Sequence, residues 1–546
     1  MHIFRAQTRM KIPCSANLPA HSLLLLLPFL LLPCALCAVP SVYDNFLQCL
    51  SKNSSDPSNN ISSIVYSNTN PAYTKVLQAY IRNSRFDTPT TPKPVLIVTP
   101  QQESQVQAAV LCAKTIGIQI KIRSCGHDYD GISYVSEVPF IILDMFNLRK
   151  ITVNIKAGTA WAQAGATIGE LYHAIAQSSK VHAFPAGICP SMCVGGHISG
   201  GGYGNLLRKY GLSVDNLLDA QIVDVSGKLL DRRGMGEDLF WAISGGGGAS
   251  FGVITSYFLK LVLVPQIVTY FRVERTLEQN ATDVVFQWLN VADKIDNDLF
   301  MRLLVQPTTK KGQTTIRVSV IGEFLGDSQR LLGVVGKDFP ALGLTQTDCK
   351  QMSWIESVLY WANFDNGSTP VDVLLNRIPD SISFLKRKSD YLQTPIPRAG
   401  LEALWKKMIE LGEIGLVFNA YGGRMSEIPA TATPFPHRAG NICKIQHSVT
   451  WDEAGNAAAN KNLEGIRSLY EFMTSFVSKN PRGAFLNYRD LDIGVNHHGN
   501  TSYAEGTVYG KKYFMGNFDR LVKVKTAVDP TNFFWNEQSV PIMAEA

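Results

Sequence analysis

Pro185-Ala-Gly-Ile-Cys-Pro-Ser-Met-Cys-Val-Gly-Gly-His-Ile-Ser-Gly-Gly-Gly-Tyr-Gly204 is the stretch on which the reading of this chain turns. Glycine admits positive φ and close backbone approach, so successive N–H groups of such a run can wrap an anionic pyrophosphate. Two further segments share the texture: Arg123-Ser-Cys-Gly-His-Asp-Tyr-Asp-Gly131 and Ser244-Gly-Gly-Gly-Gly-Ala-Ser-Phe-Gly252. Taken singly, each reads equally well as a surface turn. Three together, two of them setting a His or Cys among glycines, point to an anion-binding site built from loops. None is a G-x-G-x-x-G opening a helix directly after a strand of a βαβ unit, so an ordinary dinucleotide fold is not indicated.

The flanks supply the frame. Residues 41–92 read as an N-terminal helix with loops. Val95–Val98 reads as a buried strand. Thr99, Pro100 and Gln102 then form a helix-start signal, with Thr99 as N-cap and Pro100 at the first helical position. That helix runs to Ile116, where Gly117 stops it. Ile118, Ile120 and Ile122 alternate along a strand ending at Arg123, and Phe140–Met145 is another. Thr167 with Glu170 makes a capping box for a helix through Ala176. From about residue 265 the texture changes. Strand-like runs (Ile267–Val273, Thr315–Ile321, Ile414–Ala420) alternate with longer helical ones (Ala281–Ile295, Leu401–Leu411, Leu463–Ser475), which predicts a large sheet carrying helices on one face. Asn517–Val528 reads as a closing helix ended by Asp529-Pro530.

Composition bounds the function. The 546 residues are 45% hydrophobic and 18% charged, as in ordinary globular proteins, and the length calls for more than one domain. Arg5, Arg9 and Lys11 precede an apolar run, Leu23–Leu32, followed by Ala35, Cys37 and Ala38, so residues 1–38 read as a signal peptide with Met1 or Met10 as start, or else as a signal anchor. No other segment is apolar enough to span a bilayer, and stable membrane association is not expected. The leader carries three basic and no acidic residues, so removing it lowers the net charge from +6 to +3. With no basic stripe interleaved with aromatics, nucleic acid is not an expected partner. Seven cysteines remain after the leader, an odd number, so at least one lies outside simple disulfides. Sequons at Asn53, Asn60, Asn280, Asn366 and Asn500 fit glycosylation on a secretory route, to the extracellular space or cell wall or to a vesicle or vacuole.

The first two glycine-rich segments resemble the FAD-binding signatures of the berberine bridge enzyme-like flavoproteins, within the vanillyl-alcohol-oxidase class of FAD domains. The resemblance extends through Asp238-Leu-Phe-Trp-Ala-Ile-Ser-Gly-Gly-Gly, Leu486-Asn-Tyr-Arg-Asp-Leu-Asp492 and Asp529-Pro-Thr-Asn-Phe-Phe-Trp-Asn-Glu-Gln-Ser-Val-Pro541. It implies an α+β fold: a two-lobed FAD-binding domain (39–265), a substrate-binding domain with a large antiparallel sheet covered by helices (266–480), and a C-terminal segment (481–546) returning to the FAD domain. It implies FAD attached at two points, His127 to the 8α-methyl and Cys189 to C6 of the ring system. Arg123, Ser124, Cys125, Gly126, Asp128, Gly187, Gly195, Gly196, Ser199, Gly200, Gly204, Gly252, Asn487 and Asn536 are the accompanying cofactor-site residues. A thiolate nucleophile needs access and a lowered pKa, and a loop of backbone donors offers both. Read without the resemblance, Cys189 is half a disulfide or a buried thiol, and His127 a structural histidine. His197, in the same segment, is expected to be structural. Cys49 and Cys112 match a family disulfide pinning the N-terminal helix to the first helix of the FAD domain. Cys349 and Cys443 stay unassigned, and no Cys/His spacing of the structural-zinc kind occurs, so no metal is expected.

Oxidising a carbinol needs a base for the hydroxyl proton and an acceptor for the hydride. Tyrosine, with a reference pKa of about 10, serves only if a neighbour favours the phenolate. The resemblance places Tyr488 as base, Tyr203 as second candidate, and Lys444 as the ammonium beside it. On a strand Lys444 and Gln446 share a face, and Tyr129 completes the wall. Packing roles for Tyr488 and Tyr203 and a solvated Lys444 are the bland alternatives. Relatives that cyclise alkaloids carry an acid near position 446; glutamine is no base, which favours alcohol dehydrogenation. The expected activity is oxidation of an aromatic or allylic alcohol or a related plant-type specialised metabolite, by a monomer that passes electrons to oxygen or another acceptor. A cyclase or pericyclase with structural FAD, a carbohydrate oxidase, and a binding or allergen-like protein with a vestigial site are the alternatives. Cys125 and Cys193 replace residues usually Gly, leaving two extra thiols beside the cofactor. Met192 stands close to where Val or Leu normally controls oxygen approach, which hints at a dehydrogenase.

Overall fold

A computed structural model describes residues 41–53, 61–310, 312–364, 367–378, 382–497 and 503–543. The proposed leader and the sequons at Asn60, Asn366 and Asn500 lie outside them. The N-terminal part builds two larger sheets and a two-stranded one, His182–Ala183 with Val262–Leu263. In the first, Val65–Ser67 pairs antiparallel with Leu96–Val98, which runs parallel to Phe140–Asp144, itself parallel to Gln119–Arg123. Strands buried on both faces read as continuous apolar runs, and every residue of Leu96–Val98 and Phe140–Asp144 is buried. Helix Glu103–Ile116 buries Val106, Ala109, Val110 and Ala113 against this sheet. Gly117 closes it in the left-handed conformation, φ 74°, as expected.

Its start differs from the reading above. Gln102 is the N-cap and the helix begins at Glu103. Thr99 is committed elsewhere, because both its backbone N–H and its hydroxyl donate to the Ile64 carbonyl, so it cannot cap. The Thr167/Glu170 capping box is present and opens Ile168–Ser178. Cys49 and Cys112 form the implied disulfide, with Cα atoms 5.6 Å apart, between helix Val42–Asn53 and helix Glu103–Ile116. The second sheet, all antiparallel, runs in the order Ile151–Asn154, Thr159–Gln163, Val253–Lys260, Leu217–Val223, Leu229–Leu230.

Residues 268–451 form a seven-stranded antiparallel sheet, in the order Cys349–Met352, Val268–Thr276, Gln313–Phe324, Leu299–Lys310, Gly415–Ala420, Cys443–Trp451, Phe384–Leu392. Alternation sorts its faces. Leu303, Val305, Val318, Phe418, Ile445 and Val449 share an apolar core with Trp288 of Ala281–Val291, Leu404 and Trp405 of Arg398–Leu411, and Ile466 and Leu469 of Asn456–Phe472. The neighbouring positions Arg302, Asn419, Lys444 and Gln446 therefore fall on the other face, in register as Arg302↔Asn419↔Lys444 and Val417↔Gln446.

A buried ionic network fixes three segments to one another. Lys386 Nζ lies 2.6 Å from Asp130 and 2.8 Å from Asp490, while Lys388 Nζ lies 2.6 Å from Asp490 and 2.9 Å from Asp492. The loop after His127, the segment after Tyr488 and the edge strand Phe384–Leu392 meet there. Both lysines and the first two aspartates are nearly fully buried, so removing any one partner strands a charge, a change that costs about 3–5 kcal/mol.

Candidate functional site

A cleft is lined by Ile120 to Ile122 of the Gln119–Arg123 strand, by the loop Ser124 to Asp128, and by Met192, Cys193, Gly195 to His197 and Ser199. Gly248, Gly252, Asn487, Arg489 and Asn536 complete its walls. Most of the sequence-derived cofactor residues thus converge, although they come from five separate stretches of chain, while Cys189 lies outside the lining.

His127 and Cys189, 62 positions apart, meet at one serine. Ser191 Oγ is 3.2 Å from His127 Nε2 and 3.6 Å from Cys189 Sγ. Cys189 is exposed and free, which meets the need for access. Burial, with Arg82 beside it, pulls His127 down to about 4, so its imidazole is neutral and nucleophilic at pH 7. Ser191 holds Nε2 and leaves Nδ1 for other work. Nothing in the sequence singled out Ser191 beyond its place between Cys189 and Cys193.

The glycines and polar residues divide into lining and support. Gly196 lines the cleft, and a β-carbon built there meets no atom within 4 Å; it would project into the space a ligand needs. Gly200 and Gly204 do not line it. A β-carbon at Gly200 would lie 2.3 Å from Asn487 Nδ2, and one at Gly204 1.7 Å from the Ala186 carbonyl oxygen. Gly200 lets Asn487 cross, where it accepts from Gly202 N–H (3.1 Å) and donates to the Gly196 carbonyl (3.1 Å), while Gly204 lets the chain pass close to the Ala186 backbone. Gly187 donates its N–H to His197 Nε2 at 3.1 Å. Burial lowers His197 to about 3, which suits its expected structural part as a neutral acceptor. Asp128 closes its own loop by accepting from Ile132 and Ser133 N–H. Asn536 accepts from Arg489 at 3.0 Å.

Two expectations change. The Arg123 side chain points away from the cleft, fully buried, donating to Asp144 and to the Val76 and Leu77 carbonyls. Four of its five N–H donors are committed there and it does not line the cleft, so its part is to anchor the strand end. Cys125 and Cys193 are not extra thiols: they form a disulfide.

Beside the His127 end stands an aromatic and cationic cluster. Tyr129 accepts from Gln446 Nε2 at 3.0 Å, and its ring lies 5.5 Å from that of Tyr488. Tyr488 and Tyr203 share a hydrogen bond of 2.6 Å, and Arg302 Nη2 is 3.4 Å from the Tyr203 hydroxyl. Arg302 is itself steered by Asn419, which accepts from its Nε at 2.9 Å. Lys444, Gln446 and Tyr129 therefore do face one place. The electrostatics invert the expectation, however. Burial foremost, then the Tyr203 and Tyr129 hydroxyls, hold Tyr488 well above the ordinary tyrosine range. Burial, with Arg302 adding repulsion, holds Lys444 well below the ordinary lysine range. Lys444 Nζ has no hydrogen-bond partner and sits 3.1, 4.0 and 4.1 Å from the ring centroids of Tyr203, Phe485 and Tyr488. It is a desolvated group in an aromatic cage whose burial disfavours the ammonium, and Arg302, which nothing in the sequence singled out, is a second basic group at the tyrosine pair.

The comparisons with known proteins decide the family. A model described as "FAD binding domain" matches residues 94–232, and one described as "Berberine and berberine like" matches residues 484–541. Berberine bridge enzyme-like 21 of Arabidopsis thaliana is 57% identical over 503 residues, covering 92% of this chain and 93% of its own length. The chain belongs to the berberine bridge enzyme-like family. It is an FAD-linked oxidoreductase. Among solved structures, BBE-like #28 from Arabidopsis thaliana superposes with TM-score 0.85 at 43% identity, covering 92% of this chain and all of that one. The grass pollen protein Phl p 4.0202, titled a glucose dehydrogenase, gives TM-score 0.86 at 41% identity with the same coverage. A Phl p 4 variant with one isoleucine changed to valine is titled a glucose oxidase.

The cleft fits the cofactor this family carries. Residues of three glycine-rich loops bound it, Gly196 leaves room that a side chain would fill, and the imidazole of His127 lines it, with the accessible thiol of Cys189 reaching the same serine.

Proposed function

We propose that this chain oxidises an aromatic or allylic alcohol, or a related specialised metabolite, with FAD held covalently by both His127 and Cys189. Bound FAD supplies the two-electron acceptor for a hydride leaving the carbinol carbon. His127, neutral and fixed through Nε2 by Ser191, offers Nδ1 for attachment, and Cys189 offers an exposed sulfur.

The hydrogen-bonded Tyr203–Tyr488 pair carries the catalytic reading. Tyr488 is the base: its hydroxyl takes the alcohol proton, and the 2.6 Å bond to Tyr203 shares the charge with a phenol that Arg302 approaches. Because Tyr488 is buried, it starts protonated, and its deprotonation is the main barrier. Gln446 holds Tyr129 through its hydroxyl and brings no base of its own, which disfavours ring-forming amine chemistry. Met192 lines the cleft; with a longer side chain than the family's Val, it slows dioxygen and favours another acceptor. An isoleucine-to-valine change separates a Phl p 4 glucose dehydrogenase variant from a Phl p 4 glucose oxidase variant, which supports a gate that small.

Carbohydrate oxidation is the second reading, favoured by the glucose dehydrogenase title of Phl p 4. Secretion is supported by two disulfides and by exposed Asn53 and Asn280, and no helix among the described residues is long and apolar enough to cross a membrane. The deciding experiment mixes the protein anaerobically with phenylpropanoid alcohols, sugars and alkaloids. Loss of flavin absorbance with the alcohols is expected. Bleaching by sugars alone establishes the second reading, and no bleaching by any class refutes both.

A further inference from the structure

The Cys125–Cys193 disulfide takes no part in the reading above, yet it lies between the two loops that carry it. Cys125 precedes His127 by two residues and Cys193 follows Cys189 by four. Both cysteines are buried beside Tyr80 and Phe146 and line the back of the cleft. Gly126 makes the turn between Cys125 and His127, with φ +60° and a β-carbon position only 1.7 Å from the Tyr80 carbonyl oxygen, so no other residue fits. Cys125 thereby reaches Cys193 while His127 reaches Ser191.

Each side of the bond is anchored separately. Cys193 bridges to Thr167, Val194 N–H donates to the Ala166 carbonyl (2.9 Å), and Ile168 N–H to the Met192 carbonyl (2.8 Å). On the other side, the Cys125 carbonyl accepts from Arg82 Nε at 3.4 Å. Between the two loops the links are few. Among the described residues no backbone hydrogen bond joins 124–131 to 187–196; the His127–Ser191 hydrogen bond and the disulfide are what connect them.

We propose that the Cys125–Cys193 disulfide is a clamp that registers the His127 loop on the Cys189 loop, so that one flavin can be attached at both. Cys125 and Cys193 are positioning residues. The inference rests on the two-point attachment proposed above. Each attachment exchanges a carbon–hydrogen bond of the flavin for a bond to His127 nitrogen or Cys189 sulfur. The exchange releases two protons and two electrons, which dioxygen takes up. The second attachment is the demanding one, because the first has already fixed the ring and the second nucleophile must stand at the right distance.

Full-length wild type, the Cys125→Ser/Cys193→Ser pair and the Cys125→Ala/Cys193→Ala pair are produced with flavin and digested. Mass spectrometry then counts flavin on the His127 peptide, on the Cys189 peptide, and bridging both. The alanine pair buries no hydroxyl and serves if the serine pair fails to fold. The wild type should show the bridged peptide. In the variants the ratio of doubly to singly attached flavin should fall about tenfold, as loss of the tether lowers the effective concentration of the second nucleophile. A variant that folds and shows the wild-type ratio overturns the clamp. A wild type lacking the bridged peptide overturns the two-point attachment itself, a separate and recognisable failure.

Discussion

Replacing Tyr488 by Phe removes the one hydroxyl hydrogen-bonded to Tyr203 and leaves ring packing against Phe485 and Tyr129 in place. If Tyr488 is the base, the rate of anaerobic flavin reduction by the alcohol that bleaches wild type should fall by about 10²–10⁴-fold, or about 3–5 kcal/mol in the barrier. The pH dependence is the sharper test. A base works deprotonated, and burial holds this one well above the ordinary tyrosine range. The wild-type rate should therefore climb about tenfold per pH unit through neutrality with no plateau below pH 10, and Tyr488→Phe should flatten that limb. Lys444→Met should move the limb little, because burial and Arg302 already disfavour the ammonium; a fully charged ammonium would have held the limb lower, and its loss would move it up. Stopped-flow absorbance across pH 6–10 reads all three, and the reasoning is refuted if Tyr488→Phe keeps the wild-type rate and slope.

Glu323 gives a stability prediction. Burial raises its carboxyl from 4.5 to about 7 against the opposing pull of donors Ser357 and Asn205, so the fold prefers its neutral form. The associated stability is full below the unfolded pKa and is lost as pH rises through 7. Glu323→Gln should match wild type at pH 4.5 and exceed it by about 3 kcal/mol at pH 8 in denaturant melts. Cys49→Ser/Cys112→Ser opens a loop with a sequence separation of 63 and should cost roughly 4 kcal/mol by the chain-entropy estimate, seen as a lower melting temperature with the flavin bonds intact. Met192→Val should speed reoxidation of the reduced protein by air about tenfold, a barrier change of about 1.4 kcal/mol; an unchanged rate removes Met192 as the oxygen gate.

Much of the fold was legible because local patterns and tertiary structure agree: Gly117 does stop its helix, the Thr167/Glu170 box does start one, and the 268–451 strands do form one helix-backed sheet. Thr99 misled because a distant carbonyl, that of Ile64, outbids the local helix for its hydroxyl. The loops carrying His127 and Cys189 stand out by their glycines. What joins them does not: Ser191 and the Cys125–Cys193 bond are ordinary residues until folding brings positions 64 and 68 apart in sequence together. Arg302 and the Lys386–Asp130–Asp490 network stayed hidden for the same reason, since sequence shows a charge and not its burial. Lys444 was found, but not its surroundings: burial among three rings disfavours its charged form, and only the packed structure supplies those rings.

The central claim is that His127 and Cys189 each bond to the flavin. Precipitating the protein with acid and examining pellet and supernatant tests it directly. A yellow pellet whose digest yields one flavin bridging the peptides of His127 and Cys189 is the predicted result. A colourless pellet, with the chromophore free in solution, contradicts it.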